Sequence, residues 1–179
     1  MSKVSIATTW LDGCSGCHMS LLDMDERLLD LADKIELVYS PLVDTKAEDY
    51  PEHVDVAIVE GAVSSEEDYH KIKMIRERTG ILVALGDCAV SANIPSMRNT
   101  ISVEDLLDAA YIHKADENPL HPTEVVPALR PKAVPMHEVV NVDVFVQGCP
   151  PSADTIFYTI AELLEGRIPD LTGCTRPGA

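Results

Sequence analysis

The stretch Ile81-Leu82-Val83-Ala84-Leu85-Gly86-Asp87-Cys88, written ILVALGDC, decides the fold. A continuous apolar run that stops at a turn residue reads as a strand buried on both faces, the signature of a parallel sheet covered on two sides. VDVAIVEG (Val54–Gly61) and VDVFVQG (Val142–Gly148) repeat the design. VSIATTW (Val4–Trp10) and IELVYS (Ile35–Ser40) are further β-rich runs. Helical patterns separate them. Residues 18–33 carry Met19, Leu22, Leu28, Leu29 and Ala32 at largely helical spacing. Residues 65–79 open with Ser65 and acids and close with bases before Gly80, which suits a cap and the helix dipole. Ser102 begins another helix, and residues 152–165 form a last one closing at Gly166.

The alternation of strand and helix implies a mainly parallel sheet flanked by helices, with right-handed crossovers from the first strand to the second and from the third to the fourth. The expected class is α/β, a flavodoxin-like three-layer sandwich. The length of 179 residues suits one domain over 1–179. Residues 114–135 hold Pro119, Pro122, Pro127, Pro131 and Pro135 and read as an extended Pro-rich insertion, with 167–179 as a C-terminal tail.

Lys and Arg total 14 against 30 Asp and Glu, a formal net charge of −16. Nucleic-acid phosphates need a basic face, so nucleic acid is excluded as a partner, and docking on anionic lipid with it. No apolar run reaches the roughly 20 residues of a membrane helix. The N-terminus, MSKVSIATTW, lacks a secretory signal, so the expected location is cytoplasmic.

Five cysteines, an odd number in a cytoplasmic chain, point to ligands or catalysis rather than a disulfide framework. Cys14 and Cys17 follow the first strand in WLDGCSGC, Cys88 follows ILVALGD, and Cys149 follows VDVFVQG. The C-terminal ends of parallel strands share one edge of a sheet, where open α/β folds bind ligands. Four thiols converging there indicate zinc or an iron–sulfur cluster. A local zinc knuckle needs two short-spaced pairs; here one pair is followed by single cysteines 71 and 61 residues later, which suits a cluster held inside a folded domain. Gly13, Gly16, Gly86 and Gly148 allow close backbone approach, or mark ordinary turns. A thioredoxin-like use of Cys14 and Cys17 leaves Cys88 and Cys149 without a role. Cys174, in the tail, reads as a free thiol or a small buried residue. His53, His70, His113, His121 and His137 show no ligand spacing, and four thiols leave no place for His18.

WLDGCSGC, VEGAV, GDCA and QGCPPS, in this order, resemble the small subunit of nickel–iron hydrogenases, and the short chain resembles that of cytoplasmic NAD(P)-reducing ones. The resemblance implies that Cys14, Cys17, Cys88 and Cys149 ligate one four-iron four-sulfur cluster, proximal to a nickel–iron centre in a separate large subunit. It implies an electron relay, not catalytic alone, towards diaphorase subunits carrying flavin, further clusters and the NAD site. It gives Glu60, at the end of the third strand, a place on a proton path; the plainer reading is an acid capping the next turn. Trp10 packs beside the cluster, at the partner interface or in the core. Two departures are visible. Only Cys174 is spare, so no second cluster is expected, and Gly13 stands where many members carry Glu. Respiratory complex I has a related cluster-bearing subunit, but with adjacent Cys-Cys at the first ligand pair. A flavodoxin-like flavin carrier and a zinc-stabilised binding protein are rival readings of the same fold and thiols.

Overall fold

A computed structural model of the chain describes residues 3–43, 45 and 49–174. Five parallel strands form the central sheet: β1 (Val4–Trp10), β2 (Ile35–Tyr39), β3 (Val54–Glu60), β5 (Thr79–Leu85) and β7 (Val144–Val146). Their order is β2-β1-β3-β5-β7, the doubly wound arrangement in which the chain reverses direction beside β1.

Alternate side chains of each central strand enter different cores. Ile6, Val56, Ile58, Val83, Leu85, Val144 and Val146 pack on one face with Leu21 and Met24 of the first helical region and Ile156, Ile160 and Leu163 of α6 (Ala153–Leu164). Ala7, Ala57, Val59, Leu82 and Ala84 pack on the other with Ile72 and Ile75 of α3 (Glu66–Glu77) and Ala89 of α4 (Gly86–Ser91). This two-sided burial is why Ile81–Leu85 and Val56–Val59 are apolar throughout. Each large apolar side chain so buried contributes about 1.5–3 kcal/mol relative to exposure. The three-layer α/β sandwich expected from the sequence is the fold observed.

The expected helix over 18–33 is two helices, α1 (Gly16–Leu22) and α2 (Arg27–Ala32). Asp25 interrupts them at φ 50°, a left-handed conformation that Asp tolerates better than most residues. The helix over 65–79 ends at Glu77, and Thr79 and Gly80 already belong to β5. Its start is as expected: Ser65 Oγ accepts from Asp68 N–H at 3.0 Å while Asp68 accepts from Ser65 N–H at 2.9 Å. α5 (Val103–Leu107) runs into a π turn at Asp108–Ile112.

The Pro-rich insertion ends in a strand. β6 (Leu129–Val134) pairs antiparallel with β4 (Val63–Ser65) in a two-stranded ribbon, where Pro131 is tolerated because each strand is an edge. Arg130 bonds Glu66 at 3.0 Å and lies 4.2 Å over the Tyr69 ring, while Asn99 exchanges two 2.8 Å bonds with the Ala133 backbone. These contacts pin the insertion to α3 and to the 3-10 turn at Pro95–Thr100. Of the expected tail, residues 175–179 lie outside the described residues.

Candidate cofactor site

At the C-terminal edge of the sheet the four expected cysteines meet. Cys14 lies on the loop after β1, Cys17 in the first turn of α1, Cys88 in α4 directly after β5, and Cys149 on the loop after β7. All four line one cavity of about 110 Å³, together with Gly13, Gly16, Glu60, Gly61, Asp87, Gly148 and Pro150. Cys14 and Cys149 are exposed and Cys17 and Cys88 half-buried, which puts the rim on the Cys14 and Cys149 side. Cys174 is exposed and does not line the cavity.

Backbone hydrogen bonds hold the strand-end loops in pairs. Leu11 N–H donates to Glu60 O at 2.9 Å, and Asp12 and Ala62 exchange bonds of 3.1 and 2.7 Å. On the other side Asp87 N–H donates to Gly148 O at 2.9 Å, and Gly148 N–H donates to Asp87 Oδ1 at 2.7 Å. Asp87 therefore ties the Cys88 loop to the Cys149 loop. Ser20 Oγ donates to Pro151 O at 2.5 Å, which anchors α1 to the loop carrying Cys149. Gly86 leaves room at the centre: at φ +82° a Cβ there would lie 2.2 Å from Cys17 Sγ.

Glu60 is 2 % exposed at the end of β3. Its Oε2 accepts the backbone N–H of His18 at 2.7 Å, so it caps the first turn of α1 rather than the turn that follows β3. His18 is fully buried, with Nδ1 2.8 Å from the same oxygen but out of line for a hydrogen bond. Its Nε2 has no partner among the described residues. Trp10 meets the His18 ring edge to face at 5.1 Å, so it packs against the residue that follows Cys17.

Burial pushes the Cys17 thiol well above its ordinary value, and the charges of Glu60, Cys88, Cys14 and Cys149 push it further the same way. Burial also raises Cys88; a hydrogen bond from the Ile94 backbone opposes the rise, and Cys149, Cys14 and Glu60 add to it. Four thiolates beside a carboxylate repel one another, so thiolate ligation here calls for a positively charged group between them. Among the described residues no three His, Cys, Asp or Glu side chains close on a point as a single metal ion requires. The thiols surround a volume instead. Four thiols and a glycine-lined wall are a donor set that fits an iron–sulfur cluster.

Sequence reasoning finds the four cysteines and Glu60 but misses three residues that complete the site. Asp87 is visible in the sequence as the acid following a strand-end glycine. His18, expected not to be a ligand, gains a role only through its contact with Glu60. Asn93, whose Nδ2 lies 3.6 Å from Cys149 Sγ, carries no local signal.

The fold and the site define a class. The chain belongs to the family described as NADH ubiquinone oxidoreductase, 20 Kd subunit, whose model matches residues 14–163. Within that family it groups with hydrogenase subunits, as the resemblance in WLDGCSGC, GDCA and QGCPPS implied. It is 43% identical over 176 residues to the delta subunit of the NAD-reducing hydrogenase HoxS of Cupriavidus necator, covering 94% of this chain and 82% of that one. It is 38% identical over 168 residues to a subunit of the F420-non-reducing hydrogenase of Methanothermobacter marburgensis, covering 92% of this chain and 54% of the relative. A chain in a solved structure of an NAD+-reducing NiFe hydrogenase in the H2-reduced state superposes with a TM-score of 0.92 at 36% identity, over 99% of this chain and 100% of that one.

Proposed function

We propose that this chain is the electron-transfer small subunit of an NAD-reducing nickel–iron hydrogenase, with Cys14, Cys17, Cys88 and Cys149 holding one four-iron four-sulfur cluster. The observation that carries the reading is that these four thiols, from three strand ends, line one cavity. A cluster of this type supplies one-electron transfer. The chain's own residues supply the holding: Asp87 fixes two ligand loops together, and Glu60 fixes the N-terminus of α1, which carries Cys17. Glu60 also faces the cavity as a buried carboxylate, the position a proton-path residue needs.

The partners in this reading are a large subunit with the nickel–iron centre and diaphorase subunits that bind flavin and NAD. The assembly is cytoplasmic, with this chain contributing one domain. Exposed Ile94, Met97 and Ile101 on the segment beside Cys88, and Met19 and Leu22 on α1, offer apolar surface for such partners. Among the described residues no helix is long and apolar enough to cross a membrane. A thiol-redox role for Cys14 and Cys17 has less support, because it leaves Cys88 and Cys149, which line the same cavity, without a role.

The test is iron, acid-labile sulfide and zinc on anaerobically purified protein. About four irons and four sulfides per chain, the content of one cubane, is the expected result. Zinc without sulfide overturns the reading.

A further inference from the structure

α4 ends at Ala92, which is 2 % exposed and adopts φ 60°, a left-handed conformation that costs a residue with a Cβ free energy. Ala92 N–H bonds Cys88 O at 3.0 Å, and Ser96 N–H bonds Ala92 O at 2.9 Å, so the turn is held from both sides. Ser96 Oγ donates to Asn93 O at 2.8 Å and fixes the next residue. The reversal sends the Asn93 carboxamide across the cavity rim, where Nδ2 donates to Cys149 Sγ at 3.6 Å. A strained turn, buried and braced, thus delivers one hydrogen-bond donor to a sulfur 56 residues away.

Hydrogen bonds to ligand sulfurs are among the levers that set an iron–sulfur potential, because a donor stabilises the state with more negative charge on sulfur. We propose that Asn93, aimed by the left-handed turn at Ala92, raises the reduction potential of the centre held by Cys149. The inference rests on the reading of Cys149 as a cluster ligand.

The experiment is a redox titration followed by electron paramagnetic resonance, with dithionite supplying the one electron, on the chain purified with its large subunit. The variants are Asn93→Ala and Asn93→Asp. At a fixed potential the ratio of reduced to oxidised centre falls roughly three- to tenfold in Asn93→Ala, tenfold being about 59 mV for a one-electron couple. Asn93→Asp, which keeps the volume but replaces the donor by a charge, moves it at least as far in the same direction. Water entering an emptied site stabilises the more charged reduced state and shifts the potential upward, so the sign separates a lost donor from a loosened structure. An unchanged or raised potential, with wild-type iron and sulfide, overturns the proposal. So does loss of iron from both variants, which makes Asn93 a structural support instead. Wild-type protein without iron and sulfide overturns the cluster reading itself, a distinct outcome.

Discussion

Replacing Gly86 by alanine separates a cofactor cradle from an ordinary turn. Gly86 opens α4 at φ +82°, and an added Cβ would lie 2.2 Å from Cys17 Sγ, a separation real contacts do not show. The backbone carbonyl of Gly148 stands 3.5 Å away on another side, so the thiol is the group that moves. The conformational cost for a residue with a Cβ at positive φ is about 1–2 kcal/mol. Forcing a methyl group into the packed site adds about 1–3 kcal/mol. The sum is about 2–5 kcal/mol, at about 2–4 °C in Tm per kcal/mol for a chain of this length. Displacing Cys17 also removes one of four donors, so iron per chain falls along with Tm. Two other glycines serve as controls. Gly166 has φ +73° and open space around its would-be Cβ, so Gly166→Ala carries the backbone cost alone and keeps its iron. At Gly13 a Cβ would meet Gly61 Cα at 3.5 Å, an ordinary contact, so Gly13→Ala changes neither quantity appreciably. The assay is iron and sulfide per chain with thermal unfolding, on anaerobically purified complexes. Wild-type iron content in Gly86→Ala refutes the assignment of this cavity as the cradle.

Two further outcomes follow from hydrogen bonds to carboxylates. Glu60→Gln keeps an oxygen for the His18 N–H and holds α1 in place, whereas Glu60→Ala leaves that buried donor unpaired at a cost of about 1–3 kcal/mol; urea unfolding of the two variants measures the difference, and equal stabilities would remove the capping role. Asp55 is held below its ordinary value of 3.8, first by the Ser5 hydroxyl and then by the Ser5 backbone N–H. A carboxylate lowered in the folded state contributes stability that is present above its unfolded value and lost as pH falls through the folded one. Wild type therefore loses stability below about pH 4 relative to Asp55→Asn, whose side chain does not titrate; parallel pH profiles of Tm would contradict this.

Much of the architecture is legible because burial on both faces leaves a mark in the chain. Ile81–Leu85 and Val56–Val59 feed alternate side chains into two cores, so each run must be apolar throughout, and its length then gives a strand. The break at Asp25 leaves no such mark, since Met24 and Leu28 still point inward on either side of it. α4 is six residues long, too short for a helical period to show. β4 and β6 pair across a separation of more than sixty residues, with a proline in one of them, and no local pattern announces that contact. At the site, the cysteines are legible because each follows a strand whose end is visible. The bonds from His18 N–H to Glu60 and from Asn93 to Cys149 span 42 and 56 residues. They depend on how adjacent loops meet above the sheet, which only the tertiary structure determines.

The locks that shape the cradle involve none of its sulfurs. Leu11 and Asp12 bond Glu60 and Ala62, and Asp87 bonds Gly148 twice, so the β1 loop is fixed to that of β3 and the β5 loop to that of β7. These bonds use backbone groups and the Asp87 carboxylate, not the thiols. In the proposed reading, the ordering entropy of four distant ligands would therefore be met in folding rather than at loading. What folding cannot supply is charge. Burial, Glu60 and the neighbouring sulfurs all push Cys17 towards the neutral thiol, in a chain of net charge −16. In the proposed reading the frame presents four donors in place while burial holds Cys17 and Cys88 towards the neutral thiol, and a cationic centre, binding as protons leave, would make thiolates of them. A site built this way is selective by electrostatics as well as by shape: it disfavours a disulfide-forming thiolate at Cys17 and favours ligands that bring positive charge with them.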